Sequence, residues 1–182
     1  LMERTDSRLV GRRDADDVSL KGRFKRTIRA IERGDDMVFT QMIELRGSRP
    51  VPRMPYEITP EDMGWHLLLT NPVCHPTMLA TREIMDRVGG YRAVPAEDYD
   101  LWMRVASAGG RIRRIAPWGL LYRIHPGQVT GNASWRSDSW KNPEQAQAFA
   151  DLSVSLTGEA LPRPVSLVSL PRDEAERELD RF

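Results

Sequence analysis

The sequence predicts an α/β fold with a helical extension at the C-terminal end. A β-compatible segment at 7–13, a helical pattern and an apolar segment at 37–43 follow one another, which makes a strand–helix–strand unit. Helical patterns then alternate with short apolar segments as far as residue 130. From residue 131 the chain becomes polar and then helical, which defines the extension over 131–182.

The composition is that of a globular protein with balanced charge. The 182 residues are 40% hydrophobic and carry a formal net charge of +1, so the bulk charge does not favour nucleic acid as a partner. Cys74 is the single cysteine, which excludes an intrachain disulfide and fits a reducing compartment. No segment approaches the roughly 18 apolar residues of a membrane span. We therefore expect a cytoplasmic protein.

In the first half, helical spacing predicts a helix that begins after Ser19 as the N-cap and ends at Gly34. The apolar segment 37–43 predicts a strand. Three prolines and a glycine in 46–56 predict a surface loop. Thr59 before Pro60 is typical of a capped helix start.

The second half continues with a strand at 73–80 and a short helix from Thr81 to the Gly89-Gly90 pair. A helix over 96–108 has an apolar face that includes Leu101 and Trp102. The remaining predicted elements are two short strands at 111–115 and 120–125 and two helices at 142–156 and 173–181.

Asp14, Asp16 and Asp17 lie within four residues at the end of the first strand. Carboxylates this close repel one another unless a cation lies among them. Hard divalent ions prefer oxygen ligands and accept phosphate oxygens alongside them, which suits a site for a diphosphate leaving group. Capping of the next helix is the alternative interpretation of the same residues.

A second acidic group, Glu97, Asp98 and Asp100, begins the helix over 96–108. Capping is again an alternative. If the helix packs through Leu101 and Trp102, however, Asp98 lies at the mouth of the sheet, where a carboxylate can accept a proton from an attacking hydroxyl. Asp100 is better explained as a structural residue, such as an i,i+4 partner of Arg104.

His125 follows the apolar strand 120–124 where the chain exits into a loop. Its imidazole could complete a metal shell begun by Asp16, or it could only hydrogen-bond a turn; both interpretations stay open. His66 and His75 are expected to be structural.

The ordered motifs resemble glycosyltransferase family 2, which has the GT-A fold. The resemblance covers about residues 7–130 and depends on five segments: Asp14-Ala15-Asp16-Asp17, His75–Leu79, Val88–Tyr91, Glu97–Arg104 and Tyr122–His125. It implies a partial GT-A, Rossmann-like domain over 1–130, with a mixed sheet flanked by helices, followed by an extension of a loop and helices over 131–182. It also implies that the N-terminal nucleotide-binding strands are lacking, so that the chain is a fragment and can be inactive alone.

The same resemblance assigns roles to the candidate residues. Asp14 and Asp16 match the family's Asp-x-Asp motif, with Asp17 beside them at the cofactor and donor site. Asp16, together with Asp14 and His125, would hold Mn²⁺ or Mg²⁺ on the donor diphosphate. Asp98 matches the catalytic base, and Glu97 would shape the acceptor site.

The implied function is an inverting, non-processive transfer of a sugar from a UDP-, GDP- or dTDP-sugar donor. The acceptor would be a glycan, a lipid-linked saccharide or another hydroxyl compound, in cell-surface polysaccharide or glycoconjugate synthesis. A catalytically silent relative that binds a sugar or a partner protein is one alternative, and a metal-dependent phosphohydrolase is another. Arginines such as Arg12, Arg13, Arg111, Arg113 and Arg114 suggest peripheral attachment to the inner face of the membrane as a further alternative.

Overall fold

The computed structural model describes residues 5–125, 139 and 141–181. Among these residues, six strands form one mixed sheet in the order β1-β5-β3-β6-β2, with β4 beside β3. The strands are β1 (Leu9–Gly11), β2 (Val18–Ser19), β3 (Met37–Arg46), β4 (Arg49–Pro52), β5 (Leu79–Thr81) and β6 (Ile112–Ile124). The helices are α1 (Arg23–Ile31), α2 (Pro60–Leu69), α3 (Arg82–Arg87), α4 (Glu97–Ser107), α5 (Pro143–Thr157) and α6 (Arg172–Leu179).

Strand directions place three carboxyl ends at one edge of the sheet. β3 is parallel to β6, and β5 is antiparallel to both β1 and β3, so β1, β3 and β6 run the same way. β2 is antiparallel to β6 and therefore starts at that same edge. In sheets of this kind, ligands bind beyond the carboxyl ends of the strands. The predicted mixed sheet with flanking helices is confirmed.

The two short strands expected at 111–115 and 120–125 are one strand, β6. Its pairing with β3 shifts register between Ile115, which lies opposite Thr40, and Leu120, which lies opposite Met42. Pro117 has no N–H to donate and is tolerated at such an irregularity. Gly119 is required there, because a Cβ atom would lie 2.2 Å from Thr40 Oγ1. The proline and the glycine mark a bulge rather than a chain break.

The segment 46–56 is not only a loop, because β4 pairs with β3 as a hairpin. Arg46 lies opposite Arg49, so the connection has two residues, and Gly47 supplies the positive φ of 62° that the turn needs. Pro50 and Pro52 lie within β4 at the edge of the sheet, the position where a strand tolerates proline. The prolines concealed this strand at the sequence level.

Two further expectations are wrong in detail. Ser19 is not a helix cap, because it pairs with Leu120 in β2, and α1 begins after Gly22 at a φ of 82°. The strand expected at 73–80 is shorter, since His75–Thr77 form a 3₁₀ turn before β5.

Three helices begin at a side-chain cap: Thr59, which was predicted as a cap, and Thr81 and Asn142, which were predicted only as helix starts. Thr59 Oγ1 accepts from the backbone N–H of Asp62, and Thr81 Oγ1 accepts from that of Ile84. Asn142 Oδ1 accepts from the N–H of Gln145 and begins α5. Each cap satisfies a donor that the first helical turn leaves unpaired.

Trp102 lies in the core that joins the sheet to α4. It is fully buried, and its ring meets Phe39 of β3 edge-on at a centroid distance of 4.8 Å. Phe149 and Leu152 of α5 belong to the same hydrophobic cluster, so the helical extension shares this core. The predicted boundary between residues 130 and 131 lies outside the described residues. None of the helices in the described part of the chain has the length and apolar character needed to span a bilayer.

Candidate active site

An open cleft of about 730 Å³ lies beyond the carboxyl ends of β1 and β6. It brings together five of the six predicted site residues: Asp14, Asp16, Glu97, Asp98 and His125. The C-terminal segment also lines the cleft, through Phe149 and Arg163 among others. Residues far apart in sequence therefore share one cavity.

Asp16 and His125 meet because β2 runs antiparallel to β6. With Val18 opposite Leu121, the residues before β2 lie beside the residues that end β6. The Asp16 Oδ2 and His125 Nε2 atoms are 3.2 Å apart, and both side chains are about half exposed to the cleft. A carboxylate oxygen and an imidazole nitrogen thus face the same solvent-filled space.

Asp14 lies next to Arg12, whose Nε donates to Asp14 Oδ1 at 3.0 Å. The exit of β1 is held in place by Arg23, which is buried. Arg23 Nη2 donates to the Arg12 carbonyl oxygen at 2.8 Å, and Nη1 donates to Ser19 Oγ at 3.0 Å. Arg23 therefore fixes the backbone just before Asp14, a role that the helical pattern of α1 did not reveal.

The structure does not bring Asp17 into the cleft. Its side chain is 2% exposed, and Oδ1 accepts a hydrogen bond from the Arg123 backbone N–H at 3.0 Å. Burial raises the pKa of the Asp17 carboxyl, and the nearby Asp16 and Asp14 charges add to this. In this geometry Asp17 ties the start of β2 to the end of β6.

Asp98 lies in the first turn of α4, and Asn71 Nδ2 donates to its Oδ2 at 3.1 Å. Burial raises the pKa of the Asp98 carboxyl, and the neighbouring Glu97 raises it further, whereas the Tyr99 backbone N–H and the Asn71 side chain oppose the shift. A raised pKa brings a carboxylate closer to the range in which a general base works well. No local pattern in the sequence pointed to Asn71 as the partner of Asp98.

The turn before Asp98 is strained. Ala96 has φ 52° and ψ 50°, the left-handed conformation that alanine rarely adopts. Its carbonyl oxygen accepts a hydrogen bond from Gln145 Nε2 at 3.1 Å, and the Pro95 carbonyl oxygen accepts from the same atom. Ser139 Oγ donates to Gln145 Oε1 at 2.8 Å. The extension therefore holds the turn that presents Glu97 and Asp98.

His75 and Cys74 form an uncharged part of the wall. Burial lowers the pKa of His75 to about 4, with a further contribution from Arg12, so the ring is neutral at pH 7. Its Nε2 lies 2.7 Å from the Tyr91 hydroxyl, and the ring packs against Trp102. Burial also raises the pKa of the Cys74 thiol, which keeps it protonated. The expectation of a structural His75 agrees with these contacts.

The Asp16 carboxylate oxygen and the His125 imidazole nitrogen suit a divalent cation whose other coordination positions are filled by a bound ligand. Among the residues that the structure describes, no three His, Cys, Asp or Glu side chains are grouped closely enough to hold an ion unaided. The pair lies 3.2 Å apart, which allows both atoms to bind one ion. Magnesium sites commonly combine one or two carboxylates with substrate phosphates and water. A bound diphosphate would supply the missing oxygens.

Comparisons with known proteins point in one direction. No protein-family model matches the chain. The chain is 25% identical over 139 residues to the amylovoran biosynthesis glycosyltransferase AmsE of Erwinia amylovora, a match over 74% of this chain and 52% of that protein. The chain thus spans about half the length of that curated relative.

Solved structures show a similar fold. The crystal structure of S. aureus TarS 1–349 in complex with UDP-GlcNAc matches with a TM-score of 0.58 at 15% identity, over 98% of this chain and 57% of that one. A second TarS 1–349 structure matches with a TM-score of 0.54 at 14% identity, over 98% and 55%. The helix-flanked mixed sheet is therefore a partial α/β fold of the GT-A type.

Proposed function

We propose that the cleft belongs to an inverting, non-processive glycosyltransferase of family 2 that uses a nucleotide-sugar donor. The observation that carries the proposal is the meeting of the Asp16–His125 pair and Asp98 in one cleft, at the carboxyl edge of a GT-A-like sheet. The similarity to AmsE, a glycosyltransferase, and to TarS, which was crystallised with UDP-GlcNAc, supports the same class of reaction.

In this proposal Asp98 is the catalytic base. Its carboxylate takes the proton of an acceptor hydroxyl as that oxygen bonds to the anomeric carbon of the donor sugar. The bond between that carbon and the diphosphate oxygen breaks, and its electron pair leaves with the nucleoside diphosphate. Attack from the face opposite the leaving group inverts the anomeric centre. Asn71 orients the Asp98 carboxylate, and Glu97 shapes the space for the acceptor.

The donor diphosphate would lie beside Asp14, Asp16 and His125. Mn²⁺ or Mg²⁺ held by Asp16 and His125 would supply neutralisation of the charge on the departing diphosphate. Asp14 is a weaker candidate for a ligand because its Oδ1 already accepts from Arg12. The nucleotide of a UDP-, GDP- or dTDP-sugar is the expected leaving group.

The proposed acceptor is a hydroxyl of a glycan or lipid-linked saccharide in cell-surface polysaccharide or glycoconjugate synthesis. The polysaccharide named for the relative AmsE, amylovoran, supports this class. Release of phosphate from simple esters would favour a phosphohydrolase instead, and binding of ligands without any turnover would favour a silent relative.

Peripheral attachment to an anionic membrane has a further candidate surface besides the arginines named from the sequence. The expected arginines are engaged within the protein: Arg12 with Asp14, Arg13 with the Asp17 carbonyl oxygen, Arg111 with Glu61, Arg113 with Asp35, and Arg114 with the Pro72 carbonyl oxygen. Exposed basic side chains lie on and beside α1: Lys21, Lys25, Arg26, Arg29 and Arg33. Co-sedimentation with phosphatidylglycerol vesicles tests this face, and no pelleting would contradict the attachment.

Calorimetric titration with UDP and GDP, each with and without Mn²⁺, tests the donor site. We expect metal-dependent binding to the wild-type chain and a loss of at least about tenfold in Asp16→Asn and His125→Gln, since each removes a ligand from the shared shell. Glu83→Gln is the control, because Glu83 is exposed and, among the described residues, its ion pair is with Arg87 on α3. Unchanged nucleotide affinity in both cleft variants would contradict the proposed donor site.

A further inference from the structure

Arg163 is a cation that lines the cleft, in the part of the wall that comes from the extension. Its Nη1 donates one hydrogen bond, at 3.2 Å, to the carbonyl oxygen of Ser139. Within the described residues, no carboxylate forms an ion pair with it. Burial lowers the pKa of the guanidinium, which remains charged, and burial raises the pKa of the neighbouring Tyr99 to about 12. The described part of the cleft wall therefore supplies no ion-pair partner for the partly buried positive charge of Arg163.

Several other charged groups of the cleft have charged partners. Arg12 pairs with Asp14, and Asp16 lies against His125. Removing a cation from water without a counter-charge is costly, so an unpaired, partly buried guanidinium calls for an explanation. A ligand that brings its own negative charge would offset that cost on binding. The guanidinium fork matches the planar oxygens of a carboxylate and the oxygens of a phosphate.

A chain of hydrogen bonds holds Arg163 on the same side of the cleft as Asp98. Arg163 donates to the Ser139 carbonyl oxygen, Ser139 Oγ donates to Gln145 Oε1, and Gln145 Nε2 donates to the Ala96 carbonyl oxygen. Ala96 directly precedes the first turn of α4, which carries Asp98. The Asp16–His125 pair is built instead from the segments just before β2 and just after β6. Arg163 is thus tied to the base and not to the diphosphate residues.

We propose that Arg163 binds an anionic group, a phosphate or a carboxylate, on the acceptor. The assignment to the acceptor rests on the proposed transferase function. Arg163 would select acceptors that carry this charge near the reacting hydroxyl, and its link through Gln145 would keep the anion subsite in register with Asp98.

A matched ligand series tests the subsite: glucose, glucose 1-phosphate and glucuronate, titrated into the full chain with UDP and Mn²⁺ at saturation so that the donor site is filled. We expect at least one of the two anionic sugars to bind about tenfold or more tightly than glucose, the scale of a charge-assisted hydrogen bond. Arg163→Gln should abolish this advantage, Arg163→Lys should keep part of it, and Arg172→Gln on the exposed face of α6 should leave it unchanged.

Three outcomes would overturn the inference. These are equal affinities of the wild-type chain for all three sugars, an advantage that survives in Arg163→Gln, and a parallel loss of UDP affinity in that variant, which would assign Arg163 to the donor. The first needs no variant and so does not depend on Arg163→Gln folding. If UDP does not bind while the Arg163-dependent advantage persists without it, the proposed donor site fails and the anion site stands.

Discussion

Gln145 Nε2 donates a hydrogen bond of 3.1 Å to the carbonyl oxygen of Ala96, which enters α4 in a left-handed conformation. Gln145 is 0% exposed and lies in the extension, whereas Ala96 is 6% exposed and begins the helix of the proposed base. The strained turn is thus stabilised by a residue about fifty positions away in the chain.

Gln145→Ala should lower the free energy of unfolding by about 1–3 kcal/mol, because it removes the side-chain donor to the Pro95 and Ala96 carbonyl oxygens, although the Ala96 oxygen still accepts from the Asp100 backbone N–H. Ala96→Gly should raise it by about 1 kcal/mol, since glycine adopts positive φ without strain. Urea denaturation measures both, and hydrogen exchange at Glu97 and Asp98 reports on the turn. Unchanged exchange in Gln145→Ala would contradict a positioning role for Gln145.

Asp98→Asn should reduce sugar transfer by about a hundredfold or more, since it removes the proposed base.

The fold of Asp98→Asn should be more stable than wild type at pH 7. Burial raises the folded pKa of Asp98 above its ordinary value of 3.8, so ionisation costs the wild-type fold stability as pH rises through that folded pKa. The difference in folding stability between Asp98→Asn and wild type should therefore shrink as pH falls towards 3.8. Thermal unfolding at several pH values checks this, and a variant destabilised at pH 7 would argue for a structural role.

Asp100→Asn should destabilise the protein by about 3 kcal/mol or more, because it breaks a buried ion pair and leaves the Arg104 charge uncompensated. Arg104 Nη2 lies 2.8 Å from Asp100 Oδ2, and Arg104 also donates to the carbonyl oxygens of Val88 and Gly90. Glu83→Gln breaks an exposed i,i+4 pair with Arg87 and should change stability by less than about 0.5 kcal/mol. Equal effects of the two variants in chemical denaturation would refute this assignment.

His75→Gln should flatten part of the pH dependence of stability. The folded pKa of His75 is about 4 and the ordinary value is 6.5, so between these values the unfolded chain binds a proton that the folded chain does not. The contribution of His75 to the free energy of unfolding is therefore lost as pH falls from 6.5 to about 4. Tyr91→Phe removes the 2.7 Å contact but leaves the burial, and should keep the slope. A slope that is the same in His75→Gln and wild type would show that His75 does not cause it.

Local signals predicted the helices well because their causes lie within a few residues. Thr59, Thr81 and Asn142 cap the helices that follow them through bonds to residues three positions on. Proline and glycine misled the strand predictions, since Pro50 lies in an edge strand and Gly119 at a bulge, and both are positions that only strand pairing defines.

Of the candidate site, the acidic and histidine motifs predicted five residues that do line one cleft. Asp17 was expected beside them because it adjoins Asp16, but alternation along the chain turns it inward towards Arg123. Asn71, Gln145 and Arg163 carry no local signal. Their roles follow from contacts with α4 and the extension, which only the fold brings together.

The two prolines of β4 also limit how the edge of the sheet can pair with another strand. In a two-residue hairpin, Arg49 and Val51 face β3 with their amides, so the positions of Pro50 and Pro52 face outwards. Proline has no N–H. A strand from another molecule that approached the free edge of β4 would therefore meet carbonyl oxygens but no N–H donor at Pro50 or Pro52. Polymerisation through this edge is therefore disfavoured, and crowded solutions of the protein should resist fibril growth there.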